Sequence, residues 1–180
     1  MIDERMKLLA GQRLVAGFEG YTVPESFQKL IRDCKIGNAI LFRRNIQSAE
    51  QLRELCVFLH CLIRMETGLP PMILLDEEGG TVSRLGELGS VSPSAMAQGA
   101  TGDPENAFRV GRMIGQELRA VGVNFNCAPI LDCNTNPKNP VIGVRSFGGD
   151  PEKVADFGAA YARGLREAGV IACGKHFPGH

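Results

Sequence analysis

The feature that most constrains the fold is a pair of helical segments that carry the same landmarks at the same spacing. One segment begins at residues 102–105 (GDPE) and ends before Gly122, and the other begins at residues 149–152 (GDPE) and ends before Gly169. Asp as the N-cap, Pro at the first helical position and Gly after the last turn are ordinary helix punctuation. Each helix leads into an apolar run. One βα unit used twice is typical of a repeating barrel rather than of two unrelated domains.

Strand-like and helix-like segments alternate along the chain. The predicted strands are residues 14–18, 39–42, 72–75, 123–130 and 170–174. Their apolar runs are continuous rather than alternating, which is typical of strands buried on both faces of a parallel α/β sheet. Helices are predicted over residues 24–34 and from Ser48 onward, where Gln51 is placed to close a capping box. The last strand, residues 170–174, is expected to be buried.

The chain is shorter than a complete barrel. It has 180 residues, whereas a TIM (β/α)8 barrel needs about 250. The predicted fold class is therefore α/β, a TIM (β/α)8 barrel truncated after about the fifth strand, with residues 1–180 forming one partial barrel domain. The alternative is an open, flavodoxin-like sheet of five strands. It is weakened because the last strand ends in polar groups and no covering helix follows.

Composition excludes several kinds of partner. Lys plus Arg and Asp plus Glu number 20 each, so the chain lacks the net positive charge that nucleic acids and anionic membranes favour. No stretch is long and apolar enough to span a bilayer, and the acidic N-terminus does not resemble a signal peptide. The six cysteines are scattered without a CxxC pair, which favours a reduced, cytoplasmic protein. Cys127, Cys133 and Cys173 are expected to act as small hydrophobes beside the strands.

Polar side chains follow the predicted strands at the ends that meet on one face of a barrel. They are Asp76, Asp132, Lys175 and His176 at strand ends, with Arg84 and Arg145 in the loops that follow. A carboxylate can accept hydrogen bonds from two adjacent sugar hydroxyls, while Lys, Arg and neutral His supply donors. A phosphate site would instead need cations and a glycine-rich helix start without a strand-end acid. The mixture favours recognition of a polyol.

Simpler interpretations of these residues stay open. Residues 76–80 (DEEGG) could form a solvated turn in which Gly79 and Gly80 only allow the backbone to bend. Asp132 could hold loop backbone instead of substrate. Either Arg84 or Arg145, taken alone, is more typical of a surface charge than of a ligand contact.

The histidines offer a possible metal pair, which we do not favour. His176 and His180 are four residues apart, the spacing of two ligands on one helix face. Pro178 and Gly179 stand between them and prevent a helix, so no metal site is expected. His60, inside the predicted helix that starts at Ser48, is expected to be structural.

Four motifs together resemble glycoside hydrolase family 3, in its bacterial β-N-acetylhexosaminidase branch. They are residues 75–80 (LDEEGG) followed by Arg84, residues 126–132 (NCAPILD), residues 142–148 (IGVRSFG) and residues 175–180 (KHFPGH). They occur in the order of the family over almost the whole chain. The last motif discriminates best, because the β-glucosidase branch usually keeps only its Lys-His. Glu77 and Val144 depart from the residues common in the family.

The resemblance implies an exo-acting, retaining hydrolase that removes a terminal, non-reducing N-acetylglucosamine from muropeptide-like or chitin-like substrates. The positions that would bind this sugar are Asp76, Arg84, Arg145, Lys175 and His176. The nucleophilic aspartate and the histidine acid/base of the family are expected beyond His180, so no catalytic residue is expected in the chain and it should not hydrolyse glycosides alone. No cofactor is implied, and a role in peptidoglycan recycling is expected.

Three other functions remain open. A phosphorylase of the same superfamily would transfer the sugar to phosphate, and product analysis with and without phosphate would distinguish it. A non-catalytic remnant would bind sugar or a partner protein only. A metal-dependent barrel hydrolase would be indicated by one equivalent of bound zinc.

Overall fold

The computed structural model describes residues 3–180, which divide into two compact units. Of the described residues, those up to Leu75 together with Ala120–Asn124 form the first unit, and Asp76–Arg119 with Phe125–His180 form the second. Strands and helices alternate as predicted, except that two helices follow one another at the start of the second unit. Among the described residues, no helix combines the length and the apolarity that a membrane crossing needs.

The first unit is a three-stranded parallel sheet with its crossover helices. Its elements are α1 (Glu4–Gly11), β1 (Val15–Ala16), α2 (Glu25–Cys34), β2 (Asn38–Ile40), α3 (Ala49–Thr67) and β3 (Met72–Leu75). Strand β2 pairs in parallel with β1 on one side and with β3 on the other. A flavodoxin-like sheet would instead place β1 between its neighbours. The sequential order therefore contradicts the open-sheet alternative and agrees with a barrel.

Helix α3 shows both a correct prediction and a wrong one. The Ser48 hydroxyl accepts a hydrogen bond from the Gln51 amide at 3.1 Å, so Ser48 is the N-cap as predicted. The Gln51 side chain does not complete the capping box, because it accepts from the Gln47 amide and donates to the Tyr21 carbonyl instead. The apolar stripe of α3 is buried; it consists of Leu52, Leu55, Cys56, Leu59 and Ile63. His60 donates from Nε2 to the Gly122 carbonyl at 3.0 Å, which is a structural role.

The second unit contains the repeated helices. Its elements are α4 (Ala95–Ala100), most of α5 (Pro104–Ala120), β4 (Phe125–Asn126), α6 (Pro151–Glu167) and β5 (Ile171–Ala172). Helices α5 and α6 both have 17 residues. Asp103 and Asp150 cap them in the same way, each accepting from the backbone amide two residues later. Gly122 and Gly169 follow them with φ of 88° and 80°, values that favour glycine. The repeat that the sequence predicts is therefore present in the structure, as two helices of equal length with the same cap and the same closing glycine.

Strand β5 is shorter and more exposed than predicted. It pairs in parallel with β4, but its Ile171 side chain is 48% exposed and Cys173 is exposed as well. Cys127 and Cys133 are half-buried. The expectation of a buried strand and of Cys173 as a core hydrophobe is thus wrong. The reason is that β5 lies at the edge of the sheet, and no further strand pairs with it among residues 3–180.

Candidate functional site

A cluster of charged side chains lies within the second unit, around the residue that follows β3. Its members, which we call the rim cluster, are Asp76, Glu78, Arg84, Arg145 and Lys175. Lys175 donates from Nζ to Asp76 Oδ1 at 2.7 Å, although 99 residues separate them in sequence. Both side chains are 17% exposed, so the pair is accessible yet partly shielded from water. Four predicted site residues, Asp76, Arg84, Arg145 and Lys175, are therefore members of the rim cluster.

Glu78, which was not among the residues predicted for the site, joins Arg145 to Lys175 within the rim cluster. Arg145 donates from Nε and Nη2 to the two oxygens of Glu78, both at 2.9 Å. Lys175 Nζ lies 2.6 Å from Glu78 Oε1, and the Glu78 side chain is only 4% exposed. The bidentate bond to Glu78 raises the pKa of Arg145 further above its ordinary value. The second acid of DEEGG was the available signal, but only the fold shows what it contacts.

Arg84 is the member of the rim cluster with the loosest side-chain contact. Its Nη2 lies 3.5 Å from Asp76 Oδ2, and its side chain is 34% exposed. Arg145, by contrast, lies in a 3-10 turn, Gly143–Arg145. That turn is tied to the chain after β4, because the Ser146 hydroxyl donates to the Asp132 carbonyl at 2.6 Å. Both arginines were predicted as binding residues. Arg84 contacts Asp76, and Arg145 contacts Glu78.

Asp132 holds His176 and the chain that follows it. His176 donates from Nδ1 to Asp132 Oδ2 at 2.6 Å. The other ring nitrogen, Nε2, takes no part in this hydrogen bond. The backbone amides of His176 and His180 donate to the same carboxylate at 3.3 and 2.8 Å. Asp132 is buried. It therefore fixes loop backbone, as the simpler interpretation proposed, and it also orients the His176 ring.

The acidic turn is buried rather than solvated. Glu77 and Glu78 are 4% and 6% exposed, which contradicts the solvated-turn alternative. Gly79 and Gly80 have φ of 88° and 61°. A Cβ atom would lie 2.5 Å from the Ser92 hydroxyl at Gly79 and 2.7 Å from Ser94 Cα at Gly80. Only glycine fits at these two positions.

The rim cluster combines charges that nearly cancel. Asp76, Glu78 and the nearby Asp132 supply three carboxylates, and Arg84, Arg145 and Lys175 supply three cations. Such a site offers many donors and acceptors but little net charge for a phosphate. Its chemistry suits a neutral polyol. Among the described residues, no group of three or more His, Cys, Asp and Glu side chains is arranged to hold a metal ion.

The arrangement of motifs around this cluster matches a known family over the full length of the chain. The family model described as the glycosyl hydrolase family 3 N terminal domain matches residues 1–180. The chain belongs to glycosyl hydrolase family 3. The resemblance drawn from the sequence motifs is thereby confirmed.

Relatives within family 3 give the closer comparison. A β-N-acetylglucosaminidase from Paenibacillus sp. str. FPU-7 is 46% identical and superposes with a TM-score of 0.94 over 97% of this chain. NagZ from Neisseria gonorrhoeae, solved in complex with N-trifluoroacetyl-D-glucosamine, is 36% identical, with a TM-score of 0.84 over 93% of this chain. The β-hexosaminidase A of Pseudoalteromonas piscicida is 40% identical over 88% of this chain. The five parallel strands thus belong to the barrel-type domain of the family.

The chain is considerably shorter than these relatives. It spans 27% of the Pseudoalteromonas enzyme, 33% of the Paenibacillus chain and 50% of the Neisseria chain. The predicted fold class, a barrel represented up to about its fifth strand, agrees with this coverage. The relatives therefore contain substantial further structure that these 180 residues do not represent.

Proposed function

We propose that this chain is the sugar-binding part of an exo-acting, retaining β-N-acetylhexosaminidase that releases terminal, non-reducing N-acetylglucosamine. The observation that carries the proposal is the rim cluster, in which the Asp76 carboxylate is held by Lys175 Nζ at 2.7 Å and faces Arg84. The names of the family 3 relatives support the choice of N-acetylglucosamine over other polyols.

Each residue of the predicted site has a chemical task in this proposal. The Asp76 carboxylate accepts hydrogen bonds from adjacent sugar hydroxyls, and Lys175, Arg84 and Arg145 donate to hydroxyl oxygens. His176 presents Nε2 as a further partner because Asp132 occupies its Nδ1. Charged hydrogen bonds of this kind contribute about 1.5–3 kcal/mol each. Together they would fix the orientation of the terminal sugar.

The chemical steps themselves are assigned to residues outside this chain. A retaining glycosidase forms a glycosyl-enzyme on a carboxylate and then releases it with water. We propose that the nucleophilic aspartate and the histidine acid/base lie beyond His180, and that residues 1–180 form one part of the barrel. No residue of the rim cluster is assigned either role. No cofactor is required.

Binding of N-trifluoroacetyl-D-glucosamine, followed by fluorine NMR, tests the proposal in the complete gene product. Replacing Asp76→Asn should weaken binding at least about tenfold, because the amide loses the negative charge that pairs with Lys175 and keeps only one of the two acceptor oxygens. Glu87→Gln, an exposed residue of the second unit, is the matched control and should leave binding unchanged. Wild-type protein that does not bind the sugar would refute the proposal.

We also infer a cytoplasmic location and a role in peptidoglycan recycling. All six cysteines are free thiols, which supports a reducing compartment. Cell fractionation with an antibody to the protein tests the location, and accumulation of N-acetylglucosaminyl muropeptides in a deletion strain tests the role. Recovery of the protein only from the medium or the periplasm would contradict the location.

A further inference from the structure

We propose that Glu77 is a positioning residue for Arg84, and that one oxygen of its side chain presents the Arg84 guanidinium to the sugar. The inference rests on the proposed function of the rim cluster. It concerns a residue whose side chain contacts the rim cluster through the Arg84 backbone amide, and no ion pair to Glu77 occurs among residues 3–180. Three observations within the second unit lead to it.

First, the Arg84 guanidinium has little to hold it in place. Its nearest carboxylate oxygen, Asp76 Oδ2, lies 3.5 Å from Nη2. Its Nε is buried and has no hydrogen-bond partner among the described residues. A side chain with one long contact cannot fix its own direction. The position of the guanidinium therefore depends on where the backbone of residue 84 lies.

Second, Glu77 fixes that backbone. A single oxygen, Oε2, accepts from the Arg84 amide at 2.7 Å and from the Leu85 amide at 2.9 Å. The two amides are seven and eight residues further along the chain. Glu77 thus closes the loop that runs from the acidic turn to Arg84, and it does so with charge-assisted bonds inside a buried site.

Third, Glu77 is itself anchored from two other elements. Its backbone amide donates to Asn126 Oδ1 at 3.0 Å, and Asn126 Nδ2 donates back to its carbonyl at 2.7 Å. The Tyr161 hydroxyl of α6 donates to the same carbonyl at 3.2 Å. Asn126 ends β4. Glu77 is therefore held by β4 and α6 through its backbone, and it holds the Arg84 loop through its side chain.

The geometry allows the role of the Glu77 side-chain oxygen to be tested separately from the role of its charge. Because Oε2 alone accepts both amides, the carbonyl oxygen of a glutamine can accept them in the same way. Methionine has similar length but no comparable acceptor. We therefore expect Glu77→Gln to keep the position of Arg84 and Glu77→Met to lose it.

A double-mutant cycle on sugar affinity tests the link, with N-trifluoroacetyl-D-glucosamine as the probe and the complete gene product as the protein. Glu77→Met and Arg84→Met should each weaken binding about tenfold, and the double variant should bind no worse than Arg84→Met alone. A parallel cycle of Glu77→Met with His176→Ala should give multiplied losses. Glu77→Gln should bind like the wild type.

A second substitution, Glu77→Asp, keeps the inference testable if the Glu77→Met variant does not fold. Glu77→Asp keeps the charge but withdraws the oxygen from the two amides, and it should also weaken binding only when Arg84 is present. Independent, multiplied losses for residues 77 and 84 would overturn this inference while leaving the proposed function intact. Equal losses for Glu77→Gln and Glu77→Met would overturn it as well. A wild-type protein that does not bind the probe would overturn both.

Discussion

Glu78 shows how a single buried carboxylate can organise a site. It forms a bidentate pair with Arg145 and a second ion pair with Lys175, and its side chain is almost entirely removed from water. Removing one partner of such a group leaves the others buried and uncompensated, which costs more than the pair contributes when intact. Glu78 therefore contributes to stability, and it also positions Arg145 and Lys175, two residues that are predicted to bind the sugar.

Replacing Glu78→Gln is expected to lower the free energy of unfolding by about 3 kcal/mol, because Arg145 loses its charged partner in a buried setting. Urea unfolding followed by circular dichroism measures the change. The control is Arg109→Gln, which breaks the exposed pair of Arg109 with Glu105 on α5 and should cost no more than about 0.5 kcal/mol. Equal losses in the two variants would contradict the assignment.

Glu77 carries a charge that its surroundings disfavour. Burial raises the pKa of the Glu77 carboxyl above its ordinary value of 4.5, and the nearby Glu117 acts in the same direction, against the hydrogen bonds from the loop. The folded state then binds this proton more tightly than the unfolded chain does. The stabilisation that the bound proton provides is complete below pH 4.5 and is lost as the pH rises through the raised pKa.

Glu77→Gln should therefore be more stable than the wild type at pH 7, because it removes the ionised form from the buried site. The gain should narrow as the pH falls and vanish below the ordinary pKa of 4.5. Thermal unfolding of both proteins across this range measures the difference. A gain that persists unchanged at pH 3 would show that the charge of Glu77 is not its cause.

At the scale of elements, two glycines, Gly111 on α5 and Gly164 on α6, explain how these helices pack. A Cβ atom at Gly111 would lie 2.3 Å from the Tyr161 carbonyl oxygen, and one at Gly164 would lie 2.2 Å from the Phe108 carbonyl oxygen. The helices thus approach each other through backbone on both sides. This contact also fixes Tyr161, whose hydroxyl reaches the carbonyls of Glu77 and Glu78. The packing of the helices therefore supports the acidic turn.

Gly111→Ala gives a test in which two effects have opposite signs. Helix propensity alone would stabilise α5 by about 1 kcal/mol. Crowding against Tyr161 should outweigh it and give a net destabilisation of about 1–3 kcal/mol. Urea unfolding decides the sign. Gln116→Ala, at an exposed position of the same helix, should change stability by no more than about 0.5 kcal/mol. A more stable Gly111→Ala variant would contradict the close approach.

Element boundaries were the least predictable part of the fold. Met72–Leu75 was predicted to the residue, whereas the run over 123–130 contains a strand only at Phe125–Asn126. The difference arises because apolarity marks burial, while a strand also needs a partner with free backbone groups in register. Residues such as Ala128 and Ile130 are buried without being part of a regular strand. A pattern of side chains cannot distinguish these two cases.

At the scale of the whole molecule, we expect the residues that bind the sugar and the residues that catalyse hydrolysis to lie in different parts of the complete protein. The 180-residue chain should show no hydrolysis of 4-nitrophenyl N-acetyl-β-D-glucosaminide above the uncatalysed rate, since the nucleophile and the acid/base are assigned to residues beyond it. The complete gene product should hydrolyse it. Product analysis with added phosphate would identify a phosphorylase by the appearance of the sugar phosphate. A turnover by the short chain comparable with that of the complete protein would contradict the assignment.

The sequence by itself determined the alternation of elements, the two equally punctuated helices and four of the motifs that surround the site. These depend on short-range effects, namely side-chain period, capping and the conformations open to Gly and Pro. Only the tertiary structure decided that Glu78 joins Arg145 and Lys175, and that Glu77 holds the backbone of Arg84. The pair of Arg145 with Glu78 spans 67 residues and that of Lys175 with Asp76 spans 99. Such partners depend on how strands and helices pack, and no local pattern records that packing.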